Sequence, residues 1–264
     1  MLPNQVHFLY DAILVNENTL DNSANSIYEI QMQHQPAILR ISKYSRQKER
    51  HVNFELAWMH ELARHMPQIA GPIPSRNNRL FEVIDTDTTW IACVFHKASG
   101  HMIDPANPQE WNGALFHKLG QLMGNLHTYT KPYVGKIGID EQLDWRHSYM
   151  FWPENNQWVD PDILPIWNQT LAEMERLSTT EADYGIVHTD IHHQNFHVAD
   201  GNIVLFDFDD CAYSWYAYDI ASTLFFVAGT ADCRKAGNGK ETLGRFGELF
   251  CAVIGKMRNY RRTG

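Results

Sequence analysis

Two short apolar runs that fold back on each other between residues 185 and 210 constrain this chain more than any other feature. The order is Gly185-Ile-Val-His-Thr-Asp-Ile-His-His-Gln-Asn195, then Phe196-His-Val-Ala199, Asp200-Gly201 and Asn202-Ile-Val-Leu-Phe-Asp-Phe-Asp-Asp210. An Asp-Gly pair between two alternating runs is a hairpin signal, and it predicts strands at 196–198 and 203–206. Such a hairpin places Asn195, just before its first strand, near Asp207, just after its second. Two oxygen donors brought together across a tight hairpin suit a hard cation such as Mg2+ with phosphate. Each residue is ordinary alone, since a His before a turn usually serves structure and acids beside an Asp-Gly turn usually only flank it. Spacing, hairpin and second acid together point to a phosphate–cation site.

The chain has 264 residues, room for one large domain or two lobes. Its 44% hydrophobic and 20% charged content is that of an ordinary soluble globular protein. A net charge of −9 argues against broad nucleic-acid binding. The acidity suits a cationic small substrate, and solubility explains it equally well. No apolar run reaches the roughly 18–20 residues needed to span a bilayer. The opening Met1-Leu-Pro-Asn-Gln lacks the basic-then-apolar order of a signal peptide. Cys93, Cys211, Cys233 and Cys251 are widely spaced, so reduced thiols in a cytoplasmic protein are expected.

Residues 5–15 are apolar enough for a short helix or a strand, and a polar turn follows at 16–26. Strands are predicted at 27–31 and 36–42, joined through 33–35. In Ala37-Ile-Leu-Arg-Ile41 the side chains alternate, so Arg40 opposes Leu39 and Ile41. A charge there needs a partner or a cleft, unless the strand is an edge facing water. A helix is predicted over 49–66, ended by Pro67, with Val52, Leu56, Met59, Ala63 and Met66 in one apolar stripe. Glu55 borders that stripe, and Arg40 is its obvious cationic partner. Strands at 80–84 and 90–95 complete a small antiparallel sheet, and His96-Lys-Ala-Ser-Gly100 breaks the pattern.

In the second half, Asn107-Pro108 predicts a helix start, with a helix to about residue 128 that buries Leu115, Leu119, Leu122 and Leu126. His127 near its end reads as a cap or a surface residue. Residues 131–161 read as irregular, with Trp145, Tyr149, Phe151 and Trp152 framing a substrate or covering the core. Asp160-Pro161 begins another helix, lined by Ile163, Trp167, Leu171 and Met174. An apolar helix is expected at 220–228 after Asp219, and a Gly-rich, more basic tail from 230.

With His188, Asp190, His192, Asn195, Asp207 and Asp219 in place, the chain resembles the aminoglycoside phosphotransferase / choline kinase family. That family's catalytic loop commonly reads His-Gly-Asp-Leu-His-Pro-x-Asn, against His188-Thr-Asp-Ile-His-His-Gln-Asn195 here, so Thr189 stands for Gly and His193 for Pro. The resemblance runs from about residue 20 to 228. It implies an α+β, two-lobed protein-kinase-like fold with a small antiparallel sheet in the N-lobe, residues 1–97. A mainly helical C-lobe, residues 98–264, would carry the catalytic loop and the acceptor site. It also implies that Asp190 handles the proton of the acceptor hydroxyl, and that Asn195 and Asp207 hold Mg2+ on the phosphates of ATP or GTP. Asp209 would be a third metal contact or a substrate carboxylate. Arg40, where the family often has Lys, would touch phosphate and pair with Glu55. The connector from Cys93 to Lys97, Phe95 included, would bind the base through its backbone. Asp219 would brace the catalytic loop, and His188 would support its backbone.

The implied activity is a Mg2+-dependent kinase acting on a hydroxyl of a small, possibly amine-bearing metabolite or antibiotic. Its partners are then a nucleotide and that acceptor, with neither nucleic acid nor membrane involved and the oligomeric state open. Two departures favour a competing pseudokinase-like binding or scaffold module. The polar stretch 21–26 lacks the glycines of a phosphate-covering loop, and the region after Ile220 is shorter than the family's usual acceptor-lining helices. A third reading takes His188, His192, His193 and His197 as a transition-metal site.

Overall fold

The strand signals of the first hundred residues assemble into one antiparallel sheet. The computed structural model describes residues 2–15, 25–33, 35–137, 139–147 and 164–229. In chain order the elements begin α1 (Leu2–Tyr10), β1 (Ala12–Leu14), β2 (Asn25–Met32), β3 (Pro36–Lys43), α2 (Arg46–Ala63), β4 (Pro72–Ile73), β5 (Glu82–Asp85) and β6 (Thr89–His96). There follow α3 (Gly113–Ile137), 3-10 turns at Glu141–Leu143 and Trp145–His147, and α4 (Leu164–Met174). The last elements are β7 (Tyr184–Val187), β8 (Phe196–Ala199), β9 (Asn202–Leu205), β10 (Ala212–Trp215) and α5 (Tyr216–Gly229). Two compact units emerge: Met1–Lys118 with His193–Asp209, and Leu119–His192 with Asp210–Gly264. Among the described residues no helix is long and apolar enough to cross a membrane.

In the first unit the sheet runs β1-β2-β3-β6-β4, with β5 also paired to β6. β3 is therefore interior, and Arg40 sits opposite Ile27 on one side and Cys93 on the other. Alternation separates the faces of β3. Ala37, Leu39 and Ile41 join Val6, Tyr10, Ile30, Ile84 and Val94 in one buried cluster, while Arg40 bonds to α2 through Glu55. Residues 5–15 resolve the open choice by doing both, a helix to Tyr10 and a strand from Ala12. Tyr10 secures the junction by donating its hydroxyl to the Ala92 carbonyl at 3.1 Å.

Helix α2 starts three residues earlier than the apolar stripe predicts, because Ser45 caps it by accepting from the Lys48 N–H at 3.0 Å. Losing such a cap costs about 1 kcal/mol. The predicted hairpin forms as β8 and β9, with Phe196 opposite Leu205. Its turn residues Asp200 and Gly201 have φ of 50° and 73°, the left-handed pair that matches strand twist. Backbone bonds Ala70 N–H to Leu205 O (2.9 Å) and Val198 N–H to His101 O (2.9 Å) fix the hairpin within this unit. At Gly100 a Cβ would lie 2.1 Å from the Val198 carbonyl oxygen, so only glycine allows that approach.

In the second unit β7 pairs antiparallel with β10, Val187 opposite Ala212. The β10 strand was hidden in the sequence, because Cys-Ala-Tyr-Ser-Trp runs directly into the apolar helix that follows. That helix, α5, starts at Tyr216 rather than 220. Helix α3 is capped by Asn112, which accepts from the N–H groups of Ala114 (3.0 Å) and Leu115 (3.2 Å). Asn107 caps only the turn before it, bonding to the Gln109 N–H. The helix also continues past residue 128 through Pro132 to Ile137. Trp145 is buried against Trp215, ring centroids 5.4 Å apart, so it covers the core. Trp167, Leu171 and Met174 form a half-buried stripe on α4. Tyr149, Phe151, Trp152, the helix start at 160–161 and the tail from 230 lie outside the described residues, as does 21–24 of the polar stretch.

Candidate functional site

In the first unit, Arg40 on β3 meets Glu55 on α2 in a bidentate pair, Nη1–Oε1 2.8 Å and Nη2–Oε2 2.5 Å. Both are almost fully buried, at 3% and 0% exposure. The Arg40 guanidinium also lies 5.0 Å from the centroid of the Phe95 ring and 3.8 Å from Cys93 Sγ. Burial alone would lower the Arg40 pKa, but Glu55 overrides it and holds the guanidinium well above its ordinary value. Burial pushes the Cys93 thiol up against the opposing pull of Arg40. The Arg40 Nε is buried and has no hydrogen-bond partner among the described residues.

The acids after the hairpin belong to the same unit. Asp207 has a left-handed φ of 62°, and Phe208 next to it is buried edge-on against Trp58, centroids 5.3 Å apart. The Asp209 carboxylate accepts from the Asn25 amide at 2.7 Å, and the Ser42 hydroxyl donates to Asn25 Oδ1 at 2.7 Å. His51 on α2 bonds through Nε2 to the Asp209 carbonyl oxygen at 2.8 Å. Desolvation and the adjacent Asp209 carboxylate push Asp207 up to about 8. Solvent still reaches Asp207, so the upward direction rests most firmly on that like charge. Burial would raise Asp209 as well, but Arg40, Lys48 and the Asn25 bond hold it below the usual carboxylate range. Asn195 is buried, and its carbonyl accepts from the Phe206 N–H at 3.0 Å across the base of the hairpin. Lys97 is exposed and ion-paired with Glu29 at 2.5 Å.

In the second unit, the loop after β7 is tied to α5. The fully buried Asp219 accepts from the backbone N–H groups of Thr189 (2.7 Å) and His188 (3.3 Å), and from His127 Nε2 at 2.8 Å. His127 is thus a buried partner of Asp219, a role its place near the predicted helix end concealed. The loop needs this anchorage because Thr189 has φ of 72°, a conformation that a β-branched residue adopts only at a cost. That is the position where the commonest family pattern has glycine. Thr189 Oγ1 also donates to the Asp210 carbonyl at 3.0 Å. The Asp190 N–H donates to His188 Nδ1 at 3.3 Å, which places the His188 proton on Nε2. The Asp190 carboxylate stands 3.2 Å from His192 Nε2.

The first unit therefore brings together Arg40, Glu55, Phe95, Asp207 and Asp209, and the second brings together His188, Asp190 and Asp219. The four histidines of the transition-metal reading are engaged separately. His193 packs against the Trp111 ring at 6.0 Å, and His197 Nδ1 bonds to the Ala98 carbonyl at 3.2 Å. Among the described residues no three His, Cys, Asp or Glu side chains are grouped to hold a metal.

A model of the APH family, described as the phosphotransferase enzyme family, matches residues 19–252. The chain belongs to the phosphotransferase enzyme family. Amicoumacin kinase of Bacillus subtilis (strain 168) is 31% identical over 229 residues, covering 85% of this chain and 63% of that protein. An uncharacterized protein of Deinococcus radiodurans is 26% identical over 211 residues, 76% of this chain and 59% of its own length. The chain thus spans about three fifths of the length of the curated relatives it matches. Among solved structures, an amicoumacin kinase in complex with AMP-PNP, Ca2+ and Ami aligns with a TM-score of 0.80 and 26% identity, covering 97% of this chain and 77% of that one. A microcompartment-associated aminopropanol kinase aligns at 0.67 and 22% identity, over 96% and 79% of the two chains. The α+β, protein-kinase-like fold expected from the motif is the fold of these neighbours.

For this phosphotransferase-family chain, the residues missed in the sequence are the supports around Asp209. Ser42 was accessible, since it lies two residues from Arg40 on β3 and shares its face. His51 lies four residues before Glu55 on α2 and shares that face. Asn25 had no local signal, because its bond spans 184 residues of sequence.

Proposed function

We propose that this protein transfers the γ-phosphate of ATP or GTP to a hydroxyl group of a small, amine-bearing molecule in a Mg2+-dependent reaction. The observation that supports the reading is the anchoring of the His188–Asp190 loop on the buried Asp219, since Asp190 stands at the loop position that handles the acceptor hydroxyl in such kinases. Residues 1–97 form the nucleotide-binding lobe in this reading, and 98–264 carry the acceptor site.

Asn195, Asp207 and Asp209 supply oxygen donors of the type Mg2+ prefers. The charge balance fits, because the repulsion between the neighbouring Asp207 and Asp209 carboxylates is what a divalent cation would relieve. Mg2+ is commonly held by one or two carboxylates plus substrate phosphates, so a dense protein cage is not required. When bound, the cation neutralises charge on the phosphate oxygens of the nucleotide. Arg40 is held rigid and charged by Glu55, and its unpartnered Nε is the donor left for a phosphate oxygen. Phe95 and Lys97 close the strand and connector assigned to the base. His188 keeps the loop backbone in place, and Asp190 orients the acceptor hydroxyl and accepts its proton. In-line transfer needs positioning and charge neutralisation, with little covalent work by the protein.

An amine-bearing acceptor is supported by the charges near Asp190. Burial raises the Tyr218 pKa, and so does the negative charge of Asp210, Asp219 and Asp190. A cation on the acceptor would be favoured there by charge and by the ring. Calorimetric titration of ATP and GTP, each with and without Mg2+, tests the nucleotide assignment. Mg2+ should tighten binding to the wild type and do little for Asp207→Asn. Equal Mg2+ dependence in both proteins would remove Asp207 from the site. Phosphate transfer assayed across amino alcohols, amino acids, sugars and aminoglycosides then identifies the acceptor.

A further inference from the structure

The catalytic loop is gripped by α5 at more than the one position that Asp219 explains. Asp219, Thr223 and Phe226 follow one another at steps of four and three residues, so they share a single face of the helix. Asp219 takes the N–H groups of His188 and Thr189. One turn on, the buried Thr223 hydroxyl donates to the Ile191 carbonyl at 2.9 Å. A turn further, the Phe226 ring packs on the His192 ring, centroids 4.4 Å apart and tilted by 43°. Each step along the helix meets the next part of the loop.

His192 is where this grip reaches the reacting carboxylate. Its side chain is only 11% exposed, and its Nε2 stands 3.2 Å from Asp190 Oδ2. An ionised carboxylate only accepts hydrogen bonds, so Nε2 carries the hydrogen that bridges the two. An Asp side chain has two rotatable bonds, and this one is 30% exposed, so anchoring the loop backbone does not by itself set the direction of the carboxylate. A bond to one Asp190 oxygen, from a ring that is itself stacked, favours one orientation of the carboxylate.

We infer that His192 is a positioning residue for Asp190, held in register by Phe226 and Thr223, so that α5 sets the geometry of the reacting carboxylate as well as the path of the loop. This rests on the kinase reading above. His192→Leu should lower kcat by about ten- to a hundredfold, the size of loss that follows from displacing a reacting group by an ångström or less. The KM for MgATP and the melting temperature should stay at their wild-type values. His192→Gln, whose amide can offer a donor in the same place, should recover most of the rate. Phe226→Leu should give a smaller loss of the same kind, because it keeps the imidazole and loosens its seat.

The assay uses the 264-residue chain, MgATP and the acceptor with the highest turnover in the panel, with Asp190→Ala as the blank. Wild-type rates in His192→Leu, or a loss that His192→Gln does not relieve, overturn the positioning role while an inactive Asp190→Ala leaves the kinase reading standing. A wild type that transfers no more phosphate than Asp190→Ala overturns the kinase reading, and this inference with it.

Discussion

Arg40 and Glu55 in the first unit and Asp219 in the second are equally hidden from solvent, yet their charges are held in opposite ways. The Arg40–Glu55 pair is neutral overall, and each ion completes the other through two short bonds. Among the described residues, no arginine or lysine is bonded to Asp219. It is held by two backbone N–H groups and the His127 ring. The difference shows what each region is built to fix. A matched ion pair locks two secondary-structure elements, β3 and α2, at one point. A carboxylate fed by consecutive N–H groups fixes the path of a backbone, here a strained loop with Thr189 at positive φ.

Substitution separates the two arrangements. Glu55→Ala leaves a buried arginine without its partner and should cost about 3–5 kcal/mol of stability by urea denaturation. Replacing both partners, as in Arg40→Met with Glu55→Leu, should recover much of that stability, because no buried charge remains. A double variant as unstable as the single one would show that the pair contributes more than mutual neutralisation. Asp219→Ala orphans two N–H groups and a histidine and should cost about 2–4 kcal/mol. Amide exchange at His188 and Thr189 should accelerate in that variant more than in Glu55→Ala. If both variants exchange alike there, the loop is not held by Asp219.

The hairpin acids give a smaller effect and a sign. Asp207 titrates near 8 in the folded protein, against about 4 for an ordinary aspartate. Between those values the native state keeps a proton that the unfolded chain has lost, so nucleotide-free protein should lose stability as pH rises from about 4 to about 8. The repulsion from Asp209 grows over that range and is complete above it. Thermal melts across pH should show this slope in the wild type and a flatter one in Asp207→Asn. Mg2+ should offset the loss at high pH. A stability difference between wild type and Asp207→Asn that does not change with pH through this window would contradict the raised pKa.

Local signals in the sequence were enough for the hairpin at 196–205, where alternation and Asp200-Gly201 agree, and for the pairing of Arg40 with Glu55. Helix boundaries were displaced where a cap decided them. Ser45 and Asn112 won over the apolar stripe and over Asn107-Pro108, because each satisfies N–H groups that the first helical turn leaves free. The β10 strand was illegible, since its four residues are all buried and continue without a break into α5. The supports of the site were the least legible part. Asn25 reaches Asp209 and His127 reaches Asp219 across 184 and 92 residues of sequence, and no local pattern encodes such bonds. The acids themselves were visible because their chemistry depends on spacing. Their orientation depends on partners supplied by the fold.

On the kinase reading, the loop anchored on Asp219 presents Asp190 to an acceptor hydroxyl. Steady-state phosphate transfer by wild type and Asp190→Ala, with MgATP and the most active acceptor found, tests it most directly. Removing the group that accepts the proton should lower kcat by at least about a hundredfold while leaving the affinity for MgATP unchanged. Equal kcat in the two proteins would contradict the mechanism, whatever the nucleotide affinity.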